Sequence, residues 1–319
     1  MGARGFRVIR PGVLSLVQDL GRFGYQHLGL TNGGAADEHA FLWANRLLGN
    51  ASNSATVEVC FGGLALQAEV STRIALTGAD LQARLNGEPL VPWQTYGVRA
   101  GDRLHLGHSK TGVRAYLAVA GGFQVEPVLG SVATVMREQL GGLDGRGSAL
   151  EVDDILPCAS ADQGPSMRVP WRYIPDYQAP LVLRVIEGQQ GALFSESDWK
   201  TLYSSAYDIS NQSDRMGVRL SGEPLRPKVG GIVSEGISFG AVQLPPDGQP
   251  IVLLKDRQTM GGYPKLGTLF PLDAFALAQR QPHTPVRFAP MSLAEAQQKM
   301  QRFYGFMLDG RRQKKQSEQ

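Results

Sequence analysis

Cysteine is nearly absent. Cys60 and Cys158 are the two in 319 residues, and no CxxC spacing occurs. That excludes a cysteine-based zinc site and a disulfide-dense scaffold, and it fits a reducing compartment. Long hydrophobic runs are missing as well. No stretch approaches the ~20 apolar residues that a membrane helix needs. The opening MGARGFRVIRPG lacks the apolar segment of a secretory signal, and Phe6 stands where an N-myristoylation pattern needs a hydroxyl residue. The expected location is the cytoplasm, without membrane association. Charge of one sign is scarce in the body of the chain. The net charge is +3, and the final RRQKKQSEQ, with four positive residues and one negative, accounts for all of it. A balanced body argues against a nucleic-acid footprint, and the basic end is expected to be a solvated, disordered tail.

Several chemical signatures are also lacking. His27, His39, His105, His108 and His283 show no metal-ligand spacing, so no metal is expected. No nucleophile elbow occurs, since Ser131 in LGSVA lacks the second glycine. GGLDGRG, with Gly142, Gly145 and Gly147, has the composition of a phosphate loop but neither the GK[ST] ending nor the GxGxxG order. Nucleotide chemistry is therefore expected to depend on another subunit.

What is abundant is turn chemistry: 39 glycines and 19 prolines, which favour short strands over helical bundles. The length favours two domains. FRVIRPGVLSLV reads as a strand split at Pro11-Gly12. Asp37 is placed to cap a helix over DEHAFLWANRLLG, and Gly49 to end it. From Thr56 to Leu106 short strands recur about every ten residues, the rhythm of a sandwich or barrel, with Asn86-Gly87 the clearest hairpin turn. VRAYLAVA follows as a further strand. Prolines at 157, 165, 170, 175 and 180 mark an interdomain connection, and strands resume at LVLRVIEG. Ser195 is placed to cap a short helix. Ser292 and Glu295 form a capping-box pattern before a helix striped by Leu293, Ala296, Met300 and Phe303. The expected fold is mainly β with a few short helices. Its expected domains are 1–160, a connection over 161–180, a second domain over 181–305 and a tail over 306–319.

The richest stretch is 234–269. GAVQL and PIVLL flank PPDG, a turn with a proline and a positive-φ glycine, and the second strand runs into KDRQTMGGYPKLG. An earlier loop resembles it: VLSLV leads into QDLGRFGYQHLG. Each has an Asp at the strand exit (Asp19, Asp256), an Arg soon after (Arg22, Arg257), a Gly-Tyr pair (Tyr25, Tyr263) and then Leu-Gly. Each precedes an Asp that starts an Ala-rich segment, Asp37 and Asp273. Two related β domains bearing the same loop are expected. Arg22 or Arg257 would hold a carboxylate by paired N–H donors, with Asp19 or Asp256 accepting a proton or orienting an Arg. The competing reading has each Asp–Arg pair closing its own loop. Arg215 beside Asp214 is a further anion ligand or part of an Asx turn. Lys265 is an anion donor or a solvated lysine, and Glu235 and Ser238 in SEGIS are cleft residues or a strand entry.

QDLGRFGY, GGAADEHAFLWANRLLGN, YLAVAGGF, GGLDGRG, SDRMGVRLSG and SEGISFGAVQLPPDGQPIVLLKDRQTMGGYPKLG resemble the signature blocks of the biotin-dependent carboxyltransferase-like family, over nearly everything from Val8 to Phe288. The resemblance implies two cyclophilin-like β-barrel domains. It implies one of three functions: a subunit of an ATP-dependent hydrolase that opens 5-oxoproline to glutamate, a subunit that transfers carboxylate from carboxybiotin to urea or a similar amide, or a non-catalytic regulator that binds a partner. For the first it implies two partners, one similar to a sporulation-kinase inhibitor or allophanate hydrolase subunit 1, the other a lactam-utilisation subunit, with ATP bound by or with a partner. No Met-Lys biotinylation site is present. The site expected from the paired loops and their polar neighbours joins Asp19, Asp256 and Arg257 as catalytic groups to Arg22, Tyr25, Arg215, Glu235, Tyr263 and Lys265 as substrate ligands. Three departures stand out. Gly34-Ala35-Ala36-Asp37 replaces Gly-Ala-Met-Asp, Gly188-Gln189-Gln190 replaces Gly-Pro-Gln, and Gly130-Ser131-Val132-Ala133-Thr134 replaces Gly-Ser-Arg-Ser-Thr.

Overall fold

A computed structural model describes residues 4–161 and 163–309. The chain is mainly β, with four α-helices among these residues, and divides into two compact units, Met1–Ala179 and Pro180–Gln319.

In the first unit the strand signal around Pro11-Gly12 does split. Gly5–Pro11 joins a six-stranded sheet and Leu14–Gln18 a five-stranded one. Gly12 makes the corner: its φ is +79°, and a Cβ there would stand 2.5 Å from the Gly62 carbonyl oxygen, so only glycine fits. The six-stranded sheet runs Ile155–Pro157, Gly5–Pro11, Leu64–Ala68, Arg103–His105, Arg84–Leu85, Glu88–Pro89. The five-stranded sheet runs Leu14–Gln18, Thr56–Cys60, Thr111–Val119, Thr72–Asp80, Gln94–Val98. Their inward residues, among them Phe6, Val8, Val57, Leu66, Ile74 and Leu117, form one core. Asn86 and Gly87 both have positive φ, as a two-residue primed hairpin turn requires. Helix α1, Glu38–Leu48, is capped as expected: the Asp37 carboxylate accepts from Ala40 N, and Gly49 ends it in the left-handed region. It packs on Thr72–Asp80 and Thr111–Val119.

The proline-rich stretch does not hang free as a connection. Met167 N donates to Thr95 Oγ1 and Thr95 N to the Met167 carbonyl, both at 2.9 Å. The Tyr177 hydroxyl donates to the helix-capping carboxylate of Asp37 at 3.0 Å. Segment 165–179 is thus a strap on the first unit, held by β-type pairing that its prolines leave intact on one side.

The second unit closes a seven-stranded barrel in the order Leu181–Glu187, Lys265–Leu269, Ala241–Gln243, Ile251–Leu253, Gly217–Gly222, Ala206–Ile209, Pro285–Pro290. Leu181–Glu187 and Pro285–Pro290 close it in parallel, and the other barrel pairings are antiparallel. PPDG forms the expected turn, with Gly248 N bonded to Pro245 O at 3.0 Å. The glycine-rich loop is shorter than expected, because from Lys265 onward it is barrel strand. Helix α2, Glu196–Ser204, carries a full capping box between Ser195 and Asp198. Helix α3, Pro271–Leu277, differs from the expected pattern: Asp273 does not cap it but accepts from Arg184 N and from both sides of the Arg184 guanidinium. Helix α4 spans Leu293–Asp309, with Ser292 Oγ accepting from Glu295 N. Leu293, expected on its apolar stripe, is exposed, whereas Ala296 and Met300 pack beside Phe270 and Met291. The helix runs through 306–309, expected to belong to the tail; the rest of that tail lies outside the described residues. No helix among the described residues is long and apolar enough to cross a membrane.

Burial marks the barrel for an alkaline test. Desolvation, aided by Glu223, pushes the Tyr207 phenol up to about 12, and desolvation with Glu187 does the same for Tyr203. Both folded values lie above that of an unfolded tyrosine, so their contribution to stability is complete below about pH 10 and is lost as pH rises toward 12. Phenolate absorbance is expected to show both tyrosines silent until near pH 12, rising together with loss of the fold. Ionisation of all nine tyrosines near pH 10 in a folded protein would refute this.

Candidate functional site

In both loops the Arg is buried and donates to backbone carbonyls. Asp19 is buried and accepts from Gly21 N at 2.8 Å, the Ser131 hydroxyl at 2.6 Å and Val132 N at 3.0 Å. Arg22 is 1% exposed, and its Nε and Nη2 donate to the carbonyls of Val128, Ser131 and Ala133. In the second loop Arg257 donates to the carbonyls of Ile237 and Leu254. Asp256 grips Arg215 instead, through paired contacts of 2.8 and 3.0 Å. Burial lowers both loop arginines. Arg22 goes down against the pull of Asp19, and Arg257 goes down to about 10 against that of Asp256. In each loop the Arg ties backbone carbonyls together. Asp214 makes the Asx turn, accepting from Met216 N and Gly217 N. Tyr25 lies on the exposed loop of the first unit beside a 3-10 turn, and Tyr263 is 42% exposed.

Glu235 and Lys265 are the sequence candidates brought together at a cleft. A short two-stranded antiparallel sheet pairs Glu235–Gly236 with Met260–Gly261, just before the barrel strand Lys265–Leu269. The cleft of about 390 Å³ is lined by Gly188, Gln189, Gln190, Glu235, Ser238, Lys265, Gly267 and Thr268. The Glu235 carboxylate accepts short contacts from Lys265 Nζ and Gln190 Nε2. Gln190 Oε1 in turn accepts from Lys265 N at 2.8 Å, and Ser238 Oγ and Thr268 Oγ1 lie 3.3 Å apart. Gly267 permits the strand approach beneath: a Cβ there would meet the Ile186 carbonyl oxygen at 2.1 Å. An ammonium, two hydroxyls and a carboxylate half open to solvent suit a small polar ligand with an anionic end and a carbonyl. In the sequence Gln190 appears only within Gly188-Gln189-Gln190, where Gln189 and not Gln190 departs from Gly-Pro-Gln, and Thr268 does not stand out at all. A polar residue bordering an apolar strand is the signal that points to them.

GGLDGRG does not fit a phosphate. Asp144 fills its own loop, accepting from Arg146 N, Ser148 N and the Ser148 hydroxyl, and Glu151 and Asp154 line the same hollow. Among the described residues no cluster of three His, Cys, Asp or Glu could hold a metal ion.

The fold is mainly β, with a polar cleft beside a barrel strand of the second unit. The chain belongs to the family described as carboxyltransferase domain, subdomain A and B, whose pattern residues 28–290 match. It is similar to the C subunit of the 5-oxoprolinase of Escherichia coli (strain K12), 36% identical over 302 residues, 93% of this chain and 96% of that one. The corresponding 5-oxoprolinase C subunit of Haemophilus influenzae is 37% identical over 281 residues, 88% of this chain and 89% of that one. The crystal structure of the K. lactis urea amidolyase matches with a TM-score of 0.87 at 26% identity, over 97% of this chain. This chain spans 20% of the length of that one.

Proposed function

We propose that this chain is the C subunit of a 5-oxoprolinase, a hydrolase complex that opens 5-oxoproline to glutamate. The observation that carries the reading is end-to-end similarity to two 5-oxoprolinase C subunits. The cleft supports it chemically. In this reading Lys265, which lines the cleft and pairs with Glu235, exchanges Glu235 for the substrate carboxylate, and the hydroxyls of Ser238 and Thr268 donate toward the lactam ring. ATP is a substrate of the assembly in this reading, and the self-filled GGLDGRG loop favours its being held by a partner. The complex is completed, in the cytoplasm, by one partner similar to a kinase inhibitor and another similar to a lactam-utilisation protein. Asp256 and Arg257 then act by holding the loop beside the cleft, Asp19 by holding its own loop in the first unit, Arg215 by holding Asp256, and Tyr25 and Tyr263 as loop contacts.

The likeness to a urea amidolyase supports a second reading, carboxyl transfer from carboxybiotin on a separate carrier. Co-purification of the full chain with its partners, followed by assay of glutamate released from 5-oxoproline with and without ATP, tests the first. ATP-dependent release that requires this chain supports it. Carboxylation of urea on adding a biotinylated carrier, without glutamate release, replaces it with the second reading. Tight partner binding with neither reaction makes the chain a regulator.

A further inference from the structure

The cleft of the second unit is filled in part by one of its own side chains. Two donors from different elements converge on a single oxygen, Glu235 Oε1: the Lys265 ammonium and the Gln190 carboxamide N–H. The orientation of that carboxamide is fixed from its other end, where Gln190 Oε1 accepts from Lys265 N at 2.8 Å. Turning the amide over would set its N–H bonds against a backbone N–H and its oxygen against a carboxylate, so one orientation fits. The backbone on either side is tied as well. Gly188 N donates to the Leu266 carbonyl at 3.1 Å, and Gln190 opens the 3-10 turn Gly191–Leu193. Gln190 Nε2 and Lys265 Nζ are thus aimed at one place, and both residues line the cleft. What fills that place is open to water. The Glu235 side chain is half exposed, against 16% for that of Lys265, and it belongs to a strand of two residues, Glu235–Gly236.

We propose that Gln190 is a second ligand for the substrate carboxylate and that Glu235 is an intramolecular competitor, holding the shared donors of Gln190 and Lys265 until a ligand carboxylate replaces it. The inference deepens the lactam reading above and rests on it. An ammonium supplies charge with little direction, whereas a carboxamide N–H of fixed orientation selects an acceptor at one point. The competitor also hides part of what the donor does. Without the Gln190 N–H the free chain loses a contact to Glu235 and the bound chain loses one to the substrate, so part of the effect cancels. Taking Glu235 away exposes the whole of it.

The test is a titration of the full-length, isotopically labelled chain with 5-oxoproline, followed by NMR at the backbone amides of Gly267 and Thr268. It is run on the parent, on Glu235→Ala and on Glu235→Ala with Gln190→Leu, each checked for folding by thermal melt. The Gln190 side-chain amide is identified by through-bond correlation to its own backbone. Glu235→Ala is expected to bind 5-oxoproline about fivefold more tightly, the most that a pair this exposed withholds. In that variant the ligand is expected to move the Gln190 carboxamide protons downfield, a shift that a merely structural glutamine does not show. Adding Gln190→Leu is expected to lose about tenfold in affinity, and the same change in the parent to lose less. Cleft amides that move while the Gln190 carboxamide stays fixed in Glu235→Ala, or a Glu235→Ala that binds no more tightly than the parent, would overturn the inference and leave the lactam reading standing. If 5-oxoproline moves the cleft amides of neither the parent nor Glu235→Ala, the lactam reading fails and takes the inference with it.

Discussion

Asp256→Ala is expected to destabilise the second unit by about 3–5 kcal/mol, because it strips the counter-charge from a buried arginine. Arg215 and Asp256 have side chains 7% and 9% exposed and meet through two parallel contacts. Removing the carboxylate leaves the Arg215 guanidinium out of water with its strongest partner gone. Arg257, already lowered by burial with Asp256 as its opposing influence, loses that support too. Urea unfolding of the variant should show the loss as a lower midpoint. The paired replacement Arg215→Met with Asp256→Leu should recover much of it, since apolar residues of similar volume often match a buried pair. A single-variant cost below about 1 kcal/mol would place the pair in the class of weak surface bridges and refute the argument.

Lys265→Met is expected to do the opposite, leaving stability nearly unchanged while ATP-dependent glutamate release by the partner-bound chain falls about 100-fold. The physical contrast is exposure. Lys265 pairs with Glu235, whose side chain is 49% exposed, so water competes for the carboxylate and the pair is worth at most about 1 kcal/mol. A substrate carboxylate that displaces Glu235 would meet the ammonium on a rigid barrel strand, where a fixed donor counts for most in binding and in the transition state. Melting within a few degrees of the parent with release unimpaired would remove Lys265 from the site. A large fall in melting temperature would make it structural.

Much of this was legible in the residues because it depends on local chemistry. Asp37 and Gly49 bound helix α1, Ser195 caps helix α2, and Asn86-Gly87 turns a hairpin for reasons contained within a few positions of the chain. The β-rich rhythm from Thr56 to Leu106 and the PPDG turn were legible on the same grounds. The likeness of the two Asp/Arg/Gly/Tyr loops was also visible, and each does bury an Arg against backbone carbonyls.

Partner choice was not legible, because it is settled by atoms far apart in sequence. Nothing near Asp256 in the chain says that it will grip Arg215, 41 residues away. Nor does any local pattern make Asp273 receive Arg184 rather than cap its helix. The same holds for 234–269. Composition identified it as a hairpin leading to charges and glycines, and local turn preferences explain that much. Closure of the barrel carried Lys265 into a strand beside Glu235 and Gln190 and turned Asp256 and Arg257 to holding the loop. Charge and hydrogen-bonding capacity are properties of the residues; desolvation and pairing arise only when distant strands meet, and these separate a cleft lysine from a buried arginine.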